Sequence, residues 1–103
     1  DERPPTSGIP RAYALNQNYP NPFNASTVID FAMPKAGHVK LEIYNILGQK
    51  VKDLVDEKVT AGHKKVTWDG TNNAGKNVAS GVYFYRLKVE AEFTEIKKMT
   101  LLR

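Results

Sequence analysis

The sequence predicts an all-β domain, an antiparallel β-sandwich of about seven strands. Two observations carry this expectation. Apolar and polar residues alternate at a period of two over most of the chain, and turn signals recur about every 8–12 residues. The one segment that reads as a helical turn, Val51-Lys52-Asp53-Leu54-Val55, is short and has β-like flanks.

Asp1 to Pro10 holds three of the prolines together with Ser, Thr and Gly, and residues 1–12 read as a linker. Such a linker leads us to expect a preceding domain. In Thr27 to Met33 the residues Ile29, Phe31 and Met33 share one face, and Pro34-Lys35-Ala36-Gly37 turns the chain. His38 to Tyr44 alternates cleanly, with Val39, Leu41 and Ile43 inward and Lys40 and Glu42 outward. Asn45-Ile46-Leu47-Gly48 breaks that strand, and Gln49 to Val59 follows as another. After Ala61-Gly62, Val66 and Trp68 share a face, and Trp68 is expected to anchor the core between the sheets. A polar loop runs from Asp69 to Ser80. Gly81 opens what reads as the longest strand, with Tyr83, Tyr85, Leu87 and Val89 on one side and Phe84, Arg86, Lys88 and Glu90 on the other. Glu90-Ala91-Glu92 is a hairpin tip, and Phe93 to Leu102 closes the domain. Strands of this number and spacing fit the immunoglobulin-like arrangement, without the cysteine pair of antibody domains.

Composition narrows the function. At 103 residues the chain is one domain. No apolar run approaches the ~20 residues of a membrane span. The absence of cysteine removes disulfides, thiolate metal sites and cysteine nucleophiles. No signal peptide opens the chain, so a cytosolic protein, a mature product or a fragment is expected. The net charge of +4 is too small to make nucleic acid the default partner. It is unevenly spread: residues 1–57 carry 6 basic and 7 acidic groups, and residues 58–103 carry 9 and 4. An anionic partner for the second half is conceivable; lysines alternating outward on strands explain the same numbers.

Chemistry is sparse. His38 and His63 sit in separate turns, without converging partners of recognisable spacing. No nucleophile elbow, zinc-protease motif or phosphate-binding glycine loop is present. Asp69, Thr71 and Asn73 repeat oxygen-bearing side chains as calcium loops do, but no bidentate Glu follows, so a plain turn is expected and no cofactor. Asn24-Ala25-Ser26 matches a glycosylation sequon that is common by chance. Tyr13, Tyr19, Tyr44, Tyr83, Tyr85, Phe84 and Trp68 would suffice for a sugar-stacking platform, although most alternate with core positions.

Four ordered motifs then carry a family resemblance. Asn18-Tyr19-Pro20-Asn21-Pro22-Phe23-Asn24 precedes Ser26-Thr27-Val28-Ile29. Val39-x-Leu41-x-Ile43-Tyr44-Asn45 runs into Gly48 and Val51. Trp68-Asp69-Gly70 leads through Gly75 to Ala79-Ser80-Gly81-Val82-Tyr83. Lys98-Met99 with Leu101 and Arg103 closes the chain. Together they resemble the C-terminal sorting domains (type A) of the bacterial type IX secretion system, which are related to the immunoglobulin-like domain of the flagellar hook-capping protein. The resemblance covers residues 13–103. Ala25 stands where that family usually has proline, and Arg103 where lysine is commoner.

The resemblance implies a non-enzymatic domain at the C-terminus of a larger secreted cargo. Ending at Arg103, just after the last strand, fits such a position. The implied partners are the outer-membrane secretion machinery and a surface sorting peptidase, and the implied destination is the medium or the cell surface, reached through the periplasm. We expect a monomer. Recognition is expected at Lys97, Lys98, Met99, Leu101 and Arg103 of the last strand, supported by Gly81 and Tyr83, through strand addition at an exposed edge. Alternatives are an assembly module like the hook-capping sandwich and a carbohydrate-binding accessory module.

Overall fold

The alternating segments form seven strands in the computed structural model, which describes residues 9–103. They are β1 (Ala14–Leu15), β2 (Thr27–Met33), β3 (Gly37–Asn45), β4 (Lys50–Val59), β5 (Gly62–Trp68), β6 (Gly81–Val89) and β7 (Phe93–Leu101). One sheet has the order β1-β2-β5 and the other β4-β3-β6-β7, with every neighbour antiparallel. The expected immunoglobulin-like sandwich is the fold observed. Most of the expected linker, residues 1–8, lies outside the described residues.

Register follows from the apolar faces. Ile29 pairs with Val66, Leu41 with Leu87, Ile43 with Tyr85 and Tyr83 with Met99, so each inward row is continuous across its sheet. Ile29, Met33, Val39, Leu41, Ile43, Trp68, Tyr85, Leu87, Met99 and Leu101 are fully buried between the sheets. Trp68 is the expected anchor. Its ring lies 5.7 Å from Phe23 and 5.4 Å from Tyr83, and its indole N–H donates to the Thr71 carbonyl at 2.9 Å.

β4 departs from simple alternation. Leu41 pairs with Val55 and Glu42 with Asp53; Ile43 pairs with Lys52 and Tyr44 with Lys50. Leu54 and Val51 are therefore extra residues, two bulges on the same strand. Each bulge resets the alternation, so Val51, Leu54 and Val55 all pack against the core at what looks like helical spacing. The bulges also lengthen β4 to 10 residues, past the 9 of β6, which corrects the expectation that the strand at Gly81 is longest.

The segment after β1 ties the two sheets together. On one side Asn16 N–H donates to Asp30 O, and Tyr19 exchanges both backbone bonds with Val28 at 2.9 Å. On the other, Gln17 Nε2 donates to Lys98 O at 2.8 Å and Asn21 Oδ1 accepts from Thr100 N–H at 3.0 Å. Phe23 completes a parallel bridge to β7, with its N–H on Thr100 O and its carbonyl accepting from Leu102 N–H. The Tyr19–Pro20 and Asn21–Pro22 peptides are both cis. Ala25 has φ +83°, which proline cannot adopt, so the backbone here is incompatible with the proline usual at this point of the motif.

Candidate interaction surface

The closing strand was expected to be an exposed edge, and it is one only in part. β7 is the last strand of its sheet, but residues 98–102 are covered by the segment from Gln17 to Phe23. The backbone groups of Thr100, and the carbonyl of Lys98, face away from β6 toward that cover. By the two-residue alternation, Ile96 and Thr94 present their N–H and C=O on the same side, beyond the cover. The open edge is thus the first half of β7, next to the Tyr13–Phe93 ring stack at 5.4 Å.

The residues expected to carry recognition separate by burial. Met99 and Leu101 are fully buried and Tyr83 nearly so; their side chains fill the core. The Tyr83 hydroxyl donates to Ala79 O at 2.7 Å, tying β6 to the loop before it. Gly81 opens β6 opposite Leu101. Arg103 closes the loop after β5. Its backbone N–H donates to Ser80 Oγ, Nε to Val78 O at 2.7 Å, and Nη2 to Gly70 O. A Cβ at Gly70 would lie 2.6 Å from Arg103 Nη2, and the residue has φ +74°, so this position of the Trp68-Asp69-Gly70 motif favours glycine: a side chain would be strained and would displace the Arg103 guanidinium. Lys97 pairs with Glu95 at 3.3 Å, and Lys98 is exposed and points outward opposite Phe84.

The motif residues of the opening segment are positioned by Tyr85. Its buried hydroxyl donates to Asn16 O at 2.7 Å and accepts from Asn18 N–H at 2.9 Å. Burial pushes its pKa up to about 12, so it remains a neutral donor across the working range. Asn18, itself buried, donates from Nδ2 to Pro20 O and Thr27 Oγ1. Phe23 is buried against Trp68, whereas Tyr19 is 80% exposed. Tyr85→Phe leaves the Asn18 N–H and the Asn16 carbonyl unpaired, at an expected cost of about 1–3 kcal/mol in urea unfolding. Faster amide exchange confined to residues 16–23 and their β7 partners would locate the loss there; uniform exchange would refute the assignment.

The outward face of the four-stranded sheet holds a site that sequence reasoning missed. Glu42 was expected outward. It does point outward, yet its side chain is only 5% exposed. Arg86 Nη2 donates to Glu42 Oε1 at 2.7 Å, Tyr44 O–H donates to the same oxygen at 2.8 Å, and Lys50 Nζ lies 3.1 Å from Oε2. The guanidinium also sits 5.2 Å over the Tyr44 ring. Burial alone would raise the Glu42 pKa. The hydrogen bonds from Arg86, Tyr44 and Lys50 outweigh it and lower it to about 2. Beside this network, Tyr44, Asn45, Gly48, Phe84, Arg86 and Ile96 line an open depression of about 420 Å³. The signal that could have found it was Phe84, an aromatic residue on an otherwise charged face.

The loop expected at most to resemble a calcium site is a hydrogen-bonded turn. Asp69 Oδ1 accepts from Thr71 N–H and Oγ1, which lowers its pKa, while Asn73 turns away to Asp53, with Nδ2 donating to Oδ2 at 3.2 Å. The three oxygens therefore do not converge. His38 pairs with Asp56 at 2.6 Å on the four-stranded sheet, whereas His63 lies on β5 of the other sheet. Among the described residues no three His, Cys, Asp or Glu side chains gather as metal ligands, and no helix is long and apolar enough to cross a membrane. Of the aromatics weighed for sugar stacking, Trp68, Tyr83 and Tyr85 are buried, and one face of Tyr44 is covered by Arg86.

Two antiparallel sheets closed along one edge by the opening segment define an immunoglobulin-like β-domain whose distinctive chemistry lies on its surface. The chain belongs to the FlgD Ig-like domain family, which it matches over residues 21–94. Among solved structures it is similar to FlgD from Xanthomonas campestris, at 26% identity and TM-score 0.58 over 89% of this chain and 63% of that one. It is also similar in fold to a part of PorU from Porphyromonas gingivalis, with TM-score 0.70, 22% identity and 88% of this chain covered. PorZ of the same organism, described as an essential surface component of the type IX secretion system, gives TM-score 0.58 at 18% identity over 88% of this chain. The chain spans only 9% of the PorU chain and 11% of the PorZ chain. No curated protein matches it in sequence.

Proposed function

We propose that this domain is a non-enzymatic sorting module that directs an upstream cargo through the type IX outer-membrane translocon. The observation that carries the reading is the ordered set of four motifs over residues 13–103, on a fold that matches a part of PorU with TM-score 0.70. The partners would be the outer-membrane secretion machinery and a surface peptidase, and the destination the medium or the cell surface. No cofactor is involved.

Recognition would use the closing strand, with roles divided by accessibility. Lys98, Lys97 and the open backbone edge near Ile96 are available to a partner by strand addition. Met99, Leu101, Gly81 and Tyr83 would act by holding that strand in register, and Arg103 by pinning it to the loop after β5. A second reading, an assembly module like the hook-capping sandwich, is favoured by the family match itself.

An export assay tests the proposal. Residues 1–103 are fused to the C-terminus of a fluorescent protein directed to the periplasm of a bacterium with a working type IX system. Fluorescence at the surface or in the medium that requires the domain is the expected result. Periplasmic retention of a folded, protease-resistant fusion would overturn sorting and leave the assembly reading.

A further inference from the structure

The outward face of the β4-β3-β6-β7 sheet carries more apolar surface than a solvated face needs. Phe84 and Ile96 border the depression described above, and Ile96 is 58% exposed. On the adjoining β3–β4 turn, Ile46 and Leu47 are 71% and 79% exposed. Partly buried hydrogen bonds fix the floor, because Arg86 and Tyr44 are held by Glu42. The depression is therefore a preformed feature of the folded domain.

The charges around it are asymmetric in their commitments. Each carboxylate of this face is engaged: Glu42 by Arg86 and Lys50, Asp53 by Lys50, Asp56 by His38, and Glu90 by the His38 N–H. Lys40, Lys58, Lys88 and Lys98 lie on the same face, exposed, and their ammonium groups make no ion pair or hydrogen bond among the described residues. Anions are satisfied internally and cations are left over, which is the pattern that attracts an acidic partner.

From this combination we propose that the Tyr44–Phe84–Ile96 depression and its uncommitted lysines dock an acidic peptide segment of the partner, one that carries an aliphatic or aromatic side chain between Asp or Glu residues. The apolar side chain fills the depression, and its flanking carboxylates reach Lys98 on one side and Lys88 and Lys40 on the other. An extended segment also has the open backbone edge at Thr94 and Ile96 beside it. The interleaved Glu42, Asp53, Asp56 and Glu90 disfavour a continuous polyanion such as nucleic acid. A second copy would bring the same uncommitted lysines against these. The inference rests on the reading of the domain as an interaction module and specifies the partner of that surface.

The test is a 15N-labelled titration of the 103-residue chain with three synthetic hexapeptides. They are Asp-Glu-Leu-Phe-Asp-Glu, Asp-Glu-Ser-Gly-Asp-Glu and Lys-Arg-Leu-Phe-Lys-Arg. The first should give saturable shifts centred on Phe84, Arg86, Ile96 and Lys98, weakened by salt. Ile96→Asp and Lys98→Glu, both at exposed positions, should each weaken it about tenfold with the fold's spectrum retained. No shifts, shifts centred on the β1-β2-β5 sheet, or equal response to the second or third peptide would overturn the proposal. Export of the unaltered fusion is scored separately, so export without peptide binding removes this inference and leaves sorting standing. Peptide binding without export does the reverse.

Discussion

A chain lacking Lys98–Arg103 is expected not to fold. The deletion removes Met99 and Leu101, both fully buried, each worth about 2–5 kcal/mol as a large-to-small core change. It also removes the Phe23 bridge to β7 and the Arg103 bonds that hold the loop at Gly70 and Val78. The sum rivals the ~5–15 kcal/mol by which a domain of this size is stable. Loss of the cooperative thermal transition in circular dichroism is the expected readout; a transition within a few degrees of the parent's would show that the end of β7 lies outside the cooperative unit. The result bears on the export assay. A tail deletion that blocks export reports misfolding as readily as lost recognition, whereas Lys98→Glu and Ile96→Asp alter the accessible surface of the same strand and spare its core side.

The second large effect is the acid lability of the outward face. Glu42 has its pKa lowered from 4.5 to about 2 because the bonds from Arg86, Tyr44 and Lys50 outweigh its burial. A carboxylate whose folded pKa lies below its unfolded one stabilises the fold at pH values above the unfolded pKa. That stability is lost as pH falls from about 4.5 through about 2. A shift of this size corresponds to about 3 kcal/mol. Glu42→Gln should therefore destabilise the domain by about that amount at pH 7 in urea unfolding, and the two proteins should converge by the acid end of the series. An offset that stays constant from pH 7 to pH 2 would refute the linkage. The variant also loosens the floor of the depression, so peptide shifts at Phe84 should weaken with it.

Strong local periodicity made β2, β3 and β6 legible without coordinates. Ile29-x-Phe31-x-Met33, Val39-x-Leu41-x-Ile43 and Tyr83-x-Tyr85-x-Leu87-x-Val89 each assign an inner face, and all these residues are buried. Trp68 was identifiable as a core anchor for the same reason. Phe84 could be placed on the outer face, but nothing local said that Ile96, a neighbour across one strand pair, would join it with Tyr44 around one depression.

Sequence alone determined the fold class, the strand order along the chain and most of the core, because a period of two is a property of neighbouring residues. Tertiary structure alone decided the rest. The two β4 bulges exist because β3 pairs with β4 at a register that leaves Val51 and Leu54 unopposed. Glu42 is buried because Arg86 and Lys50 arrive from the strands on either side of β3, so the same outward position that alternation marks as solvated becomes an ion-pair centre. The last strand is half closed because Gln17 to Phe23 reaches across from the opposite sheet to bond Lys98, Thr100 and Leu102. Each of these depends on which distant segments meet, and a pattern of near neighbours does not encode that.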